Sequence, residues 1–260
     1  MIRRAAAFVL VAALVLAACG DDDAGPATTT TAASTTSSTA EPARTETTSA
    51  TQPTEPTTSG PLGPGCPDAA PVPAGATAVV QESGDVDGDG HPDVLRSFLD
   101  GGRWSLQVEL AAGGSAAVAI DVLDAAGVGL IGGADVDGDG RDEVWARVGS
   151  GASTAILGLA ALDGCQLVRV DTDLGTPAEL PVGGSVGAAS GVDCSADGDD
   201  ADLTVFSAVY VDEDRYEVTA VEHALDGTTL RPTSTSTTQV SVDAPLFARA
   251  TTFTCDDLML

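Results

Sequence analysis

The chain has 260 residues, with 39 acidic against 11 basic side chains and a formal charge of −28. It contains no lysine, and aromatic residues make up only 3%. The clustered cations that hold phosphate backbones or anionic headgroups are therefore missing, which excludes a nucleic-acid partner. The carboxylate excess has two readings, solubility or divalent-cation binding, and the arrangement of the aspartates decides between them.

Met1-Ile-Arg-Arg gives a positive start, Ala5 to Ala18 is an unbroken apolar run, and Leu16-Ala-Ala-Cys19-Gly20 follows. This is the pattern of a secretion signal. A run of about 14 residues is too short for a retained helical span, which needs about 20. The stretch around Cys19 resembles the lipobox of bacterial lipoproteins, in which the cysteine is acylated, with chains such as palmitate, and the chain is cut just before it. The resemblance implies a signal peptide over residues 1–18 and a mature protein held by Cys19 to the extracytoplasmic face of the membrane. With Arg3 and Arg4 removed, nine basic residues face 39 acidic ones, a charge of −30.

Residues 19–65 are Thr, Ser, Ala, Pro and Glu with no hydrophobic periodicity. Such a segment cannot bury a core and is expected to be a disordered tether, either bare or O-glycosylated. As a flexible coil it reaches roughly 40 Å root-mean-square. Residues 66–260 remain as one domain, large enough for a real core.

That domain holds Cys66, Cys165, Cys194 and Cys255. An even count in an exported chain suggests two disulfides. Of three pairings, Cys66 with Cys165 and Cys194 with Cys255 is the expectation, because it pins the domain's start and its end. Zinc is disfavoured, since no Cys-x-x-Cys pair exists and His91 and His223 lie apart from the cysteines.

Two segments share the run Asp-Val-Asp-Gly-Asp-Gly, at residues 85–90 and 135–140. Their spacing of 50 residues marks a repeat. Carboxylates at alternate positions converge when a loop curls round a cation, and the glycine after the third lets the backbone turn sharply. Hard oxygen donors in that number suit Ca²⁺. An EF-hand is excluded, because position 12 is Arg96 in one loop and Ala146 in the other. Instead an acid at position 9, Asp93 or Glu143, opens an alternating apolar run that reads as a strand.

Asp-x-Asp-x-Asp-Gly-x-x-Asp/Glu between two strands resembles the FG-GAP or VCBS repeat of integrin alpha chains and many bacterial surface proteins. The resemblance implies an all-β fold of propeller-like blades, each of four antiparallel strands, here about three blades plus a fragment. It also implies about two bound Ca²⁺ ions. The first would be held by Asp85, Asp87, Asp89 and Asp93 with the His91 carbonyl, the second by Asp135, Asp137, Asp139 and Glu143 with the Arg141 carbonyl. Asp142 is passed over in favour of Glu143. A third segment, from Gly191 to Leu203, breaks the alternation, and Asp197, Asp199 and Asp202 are at most weak ligands.

Strand-like runs follow each loop: 94–99, 104–110 and 116–122, then 143–148, 154–162 and 166–171. The third unit continues with 203–211, 215–225 and 228–242, and 247–255 reads as a further lead-in strand, with no helix between. Trp104 and Trp145 read as core residues, and His223 as half-buried. No nucleophile elbow, phosphate loop, His-Glu-x-x-His motif or Schiff-base lysine is present. The expectation is a non-enzymatic binding or adhesion-like surface module for an unidentified protein or glycan. The alternatives are a structural envelope lipoprotein with Ca²⁺ as a staple only, and a hydrolase on a propeller scaffold.

Overall fold

A computed structural model describes residues 65–194 and 203–260. The expectations for the leader, Cys19, the tether and Asp197, Asp199 and Asp202 lie outside the described residues. Within them the fold is all-β and largely antiparallel.

The first sheet is a meander of β1 (Thr77–Gly84), β2 (Asp93–Asp100), β3 (Arg103–Glu109) and β4 (Ser115–Ile120). Its β2–β3 turn is two residues, Gly101 and Gly102, with φ of 53° and 84°. Both lie in the left-handed region that a tight hairpin requires, which glycine enters at no steric cost. A second meander repeats the order with β5 (Gly129–Ala134), β6 (Glu143–Ser150), β7 (Thr154–Asp163) and β8 (Gln166–Arg169). The duplication extends to register: Gly84 pairs with Asp93, and Ala134 with Glu143.

The two meanders lie against each other, β1 against β5 and β4 against β8. Leu95, Leu106 and Val108 of the first sheet meet Val144, Ala146, Ala160 and Leu162 of the second. Because β6 is a middle strand with cores on both faces, it carries an almost continuous apolar run instead of an alternation. Val144 and Ala146 point into the core between the sheets, while Trp145 points into a second core with Leu157, Leu159, Val192 and Phe253. Trp145 is fully buried, its ring 5.0 Å from that of Phe253.

Past the meanders the architecture departs from separate four-stranded units. β7 is long enough to serve two neighbours on one edge. Its residues Ala160–Asp163 pair with β8, and Thr154–Leu157 pair with β10 (Leu180–Ser185). The sheet then runs on through β11 (Ala188–Asp193), β12 (Leu203–Asp212), β13 (Arg215–Asp226) and β14 (Thr229–Ser241), so the second and third groups share one eleven-stranded sheet. Two-residue β9 (Asp171–Thr172), just past β8, pairs parallel with the start of β14. Gly191–Asp193, expected in a loop, form the end of β11.

The expected strand at 247–255 is corrected. Pro245–Arg249 form a short helix, α1, and only Phe253–Thr254 are extended, as β15, parallel to β11. Proline at the helix start presets φ without losing a needed donor, and Arg249 in the last turn complements the helix dipole. The helix covers the apolar face of β11–β13: Phe247 lies 4.2 Å from the Tyr216 ring, and Arg249 sits over Phe206 while its Nε donates to Asp193 at 2.7 Å.

The disulfides are Cys66–Cys165 and Cys194–Cys255, with Cα separations of 5.3 and 4.6 Å. The first spans 99 residues, a loop whose closure stabilises by about 4–5 kcal/mol in the chain-entropy account. It also anchors the lead-in segment, which covers the edge of β4: Ala69 N–H donates to the Ser115 carbonyl and Ser115 N–H to that of Pro67.

Since Trp145 fills the core on the far side of β6, Trp145→Ala is expected to cost about 3–5 kcal/mol, read from the denaturant midpoint with both disulfides intact.

Candidate metal centre

Both aspartate loops bridge neighbouring antiparallel strands, β1 to β2 and β5 to β6, and both are built the same way. Gly88 and Gly90 have φ of 72° and 82°, and Gly138 and Gly140 have 71° and 86°. These left-handed positions curl the backbone so that its N–H groups point inward, and the aspartates accept them. Asp85 accepts from Asp89 N–H at 3.1 Å and Gly90 N–H at 2.8 Å, while Asp87 accepts from Asp89 N–H at 3.2 Å. Asp89 accepts from His91 N–H at 2.7 Å. In the second loop Asp135 accepts from Gly138 and Gly140, Asp137 from Asp139, and Asp139 from Arg141, all between 2.8 and 3.1 Å.

The position-9 acids close each loop from below. Asp93 accepts from Val86 N–H at 2.9 Å and Glu143 from Val136 N–H at 3.0 Å. Asp93 is nearly inaccessible, and its second oxygen accepts from Ala111 N–H at 2.8 Å. Each acid thus fastens a loop to the first residue of the strand that follows it.

One oxygen from each of Asp85, Asp87 and Asp89 lies within 4.8 Å of the others, and the same holds for Asp135, Asp137 and Glu143. Three hard donors converge in each loop, a set suited to a divalent cation. Asp93 stands beneath the first trio. Asp139 is held aside from the second by Arg141, whose Nε donates to it at 2.9 Å and whose Nη2 forms an ion pair with it. His91, the corresponding residue of the first loop, is exposed and its ring makes no such pair among the described interactions. A cavity of about 230 Å³ opens beside the second loop, lined by Asp137, Asp139, Arg141, Glu143 and the turn at Asp226–Thr228.

The loops are also joined to each other. Asp142 donates its N–H to the Asp85 carbonyl at 2.8 Å, and its carboxylate accepts the Asp85 N–H at 2.7 Å. Just before the loops, Gly84 and Gly133 touch so closely that a Cβ on Gly84 would sit 2.9 Å from the Gly133 Cα and from the Asp142 carboxylate. Sequence reasoning passed over Asp142. Its signal was present: it is the one acid of the second loop whose counterpart in the first, Pro92, is not acidic.

Burial pushes the carboxyl of Glu143 well above the ordinary range, and raises those of Asp87, Asp93 and Asp142; neighbouring aspartates add to each shift. The hydrogen bond to Asp139 raises Arg141 in turn.

No protein-family model matches the chain, and no curated protein or solved structure matches it. The functional reading therefore rests on the loops themselves.

Two outcomes follow from this geometry. Gly84→Ala has no room for its methyl group and should destabilise the fold by about 1–3 kcal/mol, seen as a lower denaturant midpoint at unchanged slope. The raised carboxyls bind protons more tightly in the folded than in the unfolded chain. Metal-free protein should therefore gain stability as pH falls toward the ordinary carboxylate range, and lose it as pH rises through the raised folded-state pKa values. Thermal unfolding in chelator checks this, and Glu143→Gln should flatten the dependence.

Proposed function

We propose that the protein is a lipid-anchored extracytoplasmic surface module whose repeat loops bind Ca²⁺, and which acts by binding a protein or glycan rather than by catalysis. The observation that carries this reading is the duplicated loop: same six residues, same strand register, same glycine conformations, and three converging carboxylate oxygens in each. The proposed ligand sets are Asp85, Asp87, Asp89 and Asp93 with the His91 carbonyl, and Asp135, Asp137, Asp139 and Glu143 with the Arg141 carbonyl. The converging oxygens are those of Asp85, Asp87 and Asp89 and of Asp135, Asp137 and Glu143, and Asp139 would have to leave Arg141 to join them. In the same reading β1–β4 and β5–β8 are two blades of the FG-GAP or VCBS kind, in contact through β1 and β5 and through β4 and β8. β11–β14 supply a third, fused to the second through β10.

The position of the loops supports calcium as a staple. They sit where the two sheets meet and hydrogen-bond each other through Asp85 and Asp142. A cation in each would offset the repulsion among the carboxylates and fasten that seam. Extracellular modules bind calcium at about 10⁻⁴ to 10⁻³ M, an affinity that fills the site only where calcium is abundant and is too weak to respond to cytoplasmic signals. In this reading the lipid on Cys19 and the tether that follows it would hold the module off the membrane surface, where a partner can reach it.

Thermal unfolding with Ca²⁺ and then with chelator tests the metal. Ligand at a hundredfold excess over Kd adds about 2.7 kcal/mol per site. The gain should be lost in part in Asp87→Ala and in Asp137→Ala, and fully in the double variant; a midpoint that ignores calcium refutes the assignment. For the binding role, envelope extract passed over the immobilised protein should yield a partner retained with Ca²⁺ and released by chelator. Turnover of a glycan or ester that is abolished by a substitution outside the loops would favour the hydrolase reading instead.

A further inference from the structure

Strand β14 is an edge over most of its length. On one side β13 pairs with it from Asp226↔Thr229 to Arg215↔Ser241, while on the other β9 reaches only Thr229 and Leu230. Among the described residues nothing hydrogen-bonds the outer edge from Pro232 to Val240. The strand is exposed on both faces there, every residue from Arg231 to Gln239 being open to solvent. Nine extended residues present about 30 Å of backbone.

Edges of this kind are ordinarily guarded by charge, proline, a bulge or a covering segment. Two other outer edges follow that rule: β1 carries Glu82 and runs into an aspartate loop, and residues 67–69 cover β4. In β14 the proline and the register shift, at Pro232 and opposite Glu222/His223, guard only the start. Beyond them Thr233-Ser-Thr-Ser-Thr-Thr-Gln-Val240 carries no charge, in a chain where 19% of residues are charged. Threonine is a good strand former, so the strip is both competent to pair and unprotected.

We infer that the outer edge of β14 pairs with the same edge of a second copy of this chain, antiparallel across a two-fold axis. The charge distribution selects this occupant. A foreign partner drawn to so acidic a protein would be recruited through basic side chains, and the strip's own residues from Thr233 to Val240 carry no carboxylate. The nearest are Glu222, which accepts from the Ser234 hydroxyl at 2.7 Å, and Glu217, opposite Gln239. Two copies of the chain, each at −28, repel over most of their surfaces but can approach along a neutral strip. Pairing the strip with itself sets Thr and Ser against Thr and Ser. The contact this needs already occurs between β13 and β14, where the Thr219 and Thr237 hydroxyls hydrogen-bond at 3.1 Å. The ladder is short, so the dimer belongs with reversible interfaces below about 1,200 Å². The inference does not depend on what the aspartate loops bind.

Sedimentation velocity on the full-length chain over a wide concentration range tests it. The expected result is a monomer–dimer equilibrium that tightens as salt screens the net charge. Ser236→Lys, at the middle of the strip, brings two ammonium groups together across the axis and should weaken the dimer about tenfold. It does so although it makes each chain less negative, whereas Met259→Lys, the same charge change at an exposed residue elsewhere, should leave the dimer intact or tighten it. Thr235→Lys serves as the second variant should Ser236→Lys unfold. Amide exchange at residues 233–240 should slow as concentration rises. A chain that is monomeric throughout, a dimer indifferent to both lysine variants, or protection that does not change with concentration would each overturn the inference; the last would mean that the chain covers its own edge.

Discussion

Carboxylates crowd together where the two stacked sheets meet, and the rest of the fold is arranged around holding them there. Four acids in each loop, with Asp142 between, face a handful of backbone N–H groups and, among the described residues, the guanidinium of Arg141. Two devices keep the cluster from flying apart. Left-handed glycines turn peptide dipoles inward so that each aspartate accepts from the loop that carries it. The position-9 acids reach under their loops and are themselves buried, where a negative charge is most costly. Among the described residues the carboxylates outnumber the cations beside them, and in the reading proposed above a divalent cation would offset that excess.

The apolar framework explains why the cluster can be held in place at all. β6 separates two cores and contributes to both, so the strand that begins with Glu143 is fixed on both faces by Val144 and Trp145. Loop geometry is therefore inherited from strands that cannot slide: a one-residue slip of β6 would exchange the contents of the two cores. The first loop buries Val86 and Asp87, but its strand β1 is mostly exposed. It gains its position through the second loop, by the Asp85–Asp142 pair and the Gly84–Gly133 contact.

Sequence reading reached the parts of this fold that are governed by local chemistry. The duplicated aspartate run, the strands that follow it and the buried Trp145 could be read from spacing and side-chain type. The disulfide pairing, by contrast, was one of three that the sequence left open, favoured only because it pins the domain's two ends. What escaped was governed by distant partners. β10 contains the residues Gly183 and Gly184 and has little strand character of its own; it is extended because β7 has unpaired edge to offer. The segment after Pro245 looks apolar enough for a strand but becomes a helix, because Leu246 and Phe247 must lie on Phe206 and Tyr216, which are remote in sequence. Asp142 was legible only as an asymmetry between repeats, and its meaning appears once the second loop is seen against the first.

The two disulfides give the chain an unusual covalent topology. Cys66–Cys165 closes off everything from the lead-in segment to the β7–β8 turn, and Cys194–Cys255 closes off nearly everything after β11. A pull applied between the chain's two ends thus bypasses both enclosed loops, which hold both aspartate sites and the whole of the β12–β14 hairpins. Within the folded part, tension is borne only by the stretch Gln166–Asp193 and the last few residues. Mechanical load can draw out β8 to β11, but it cannot unravel the paired aspartate loops while the first bond is intact.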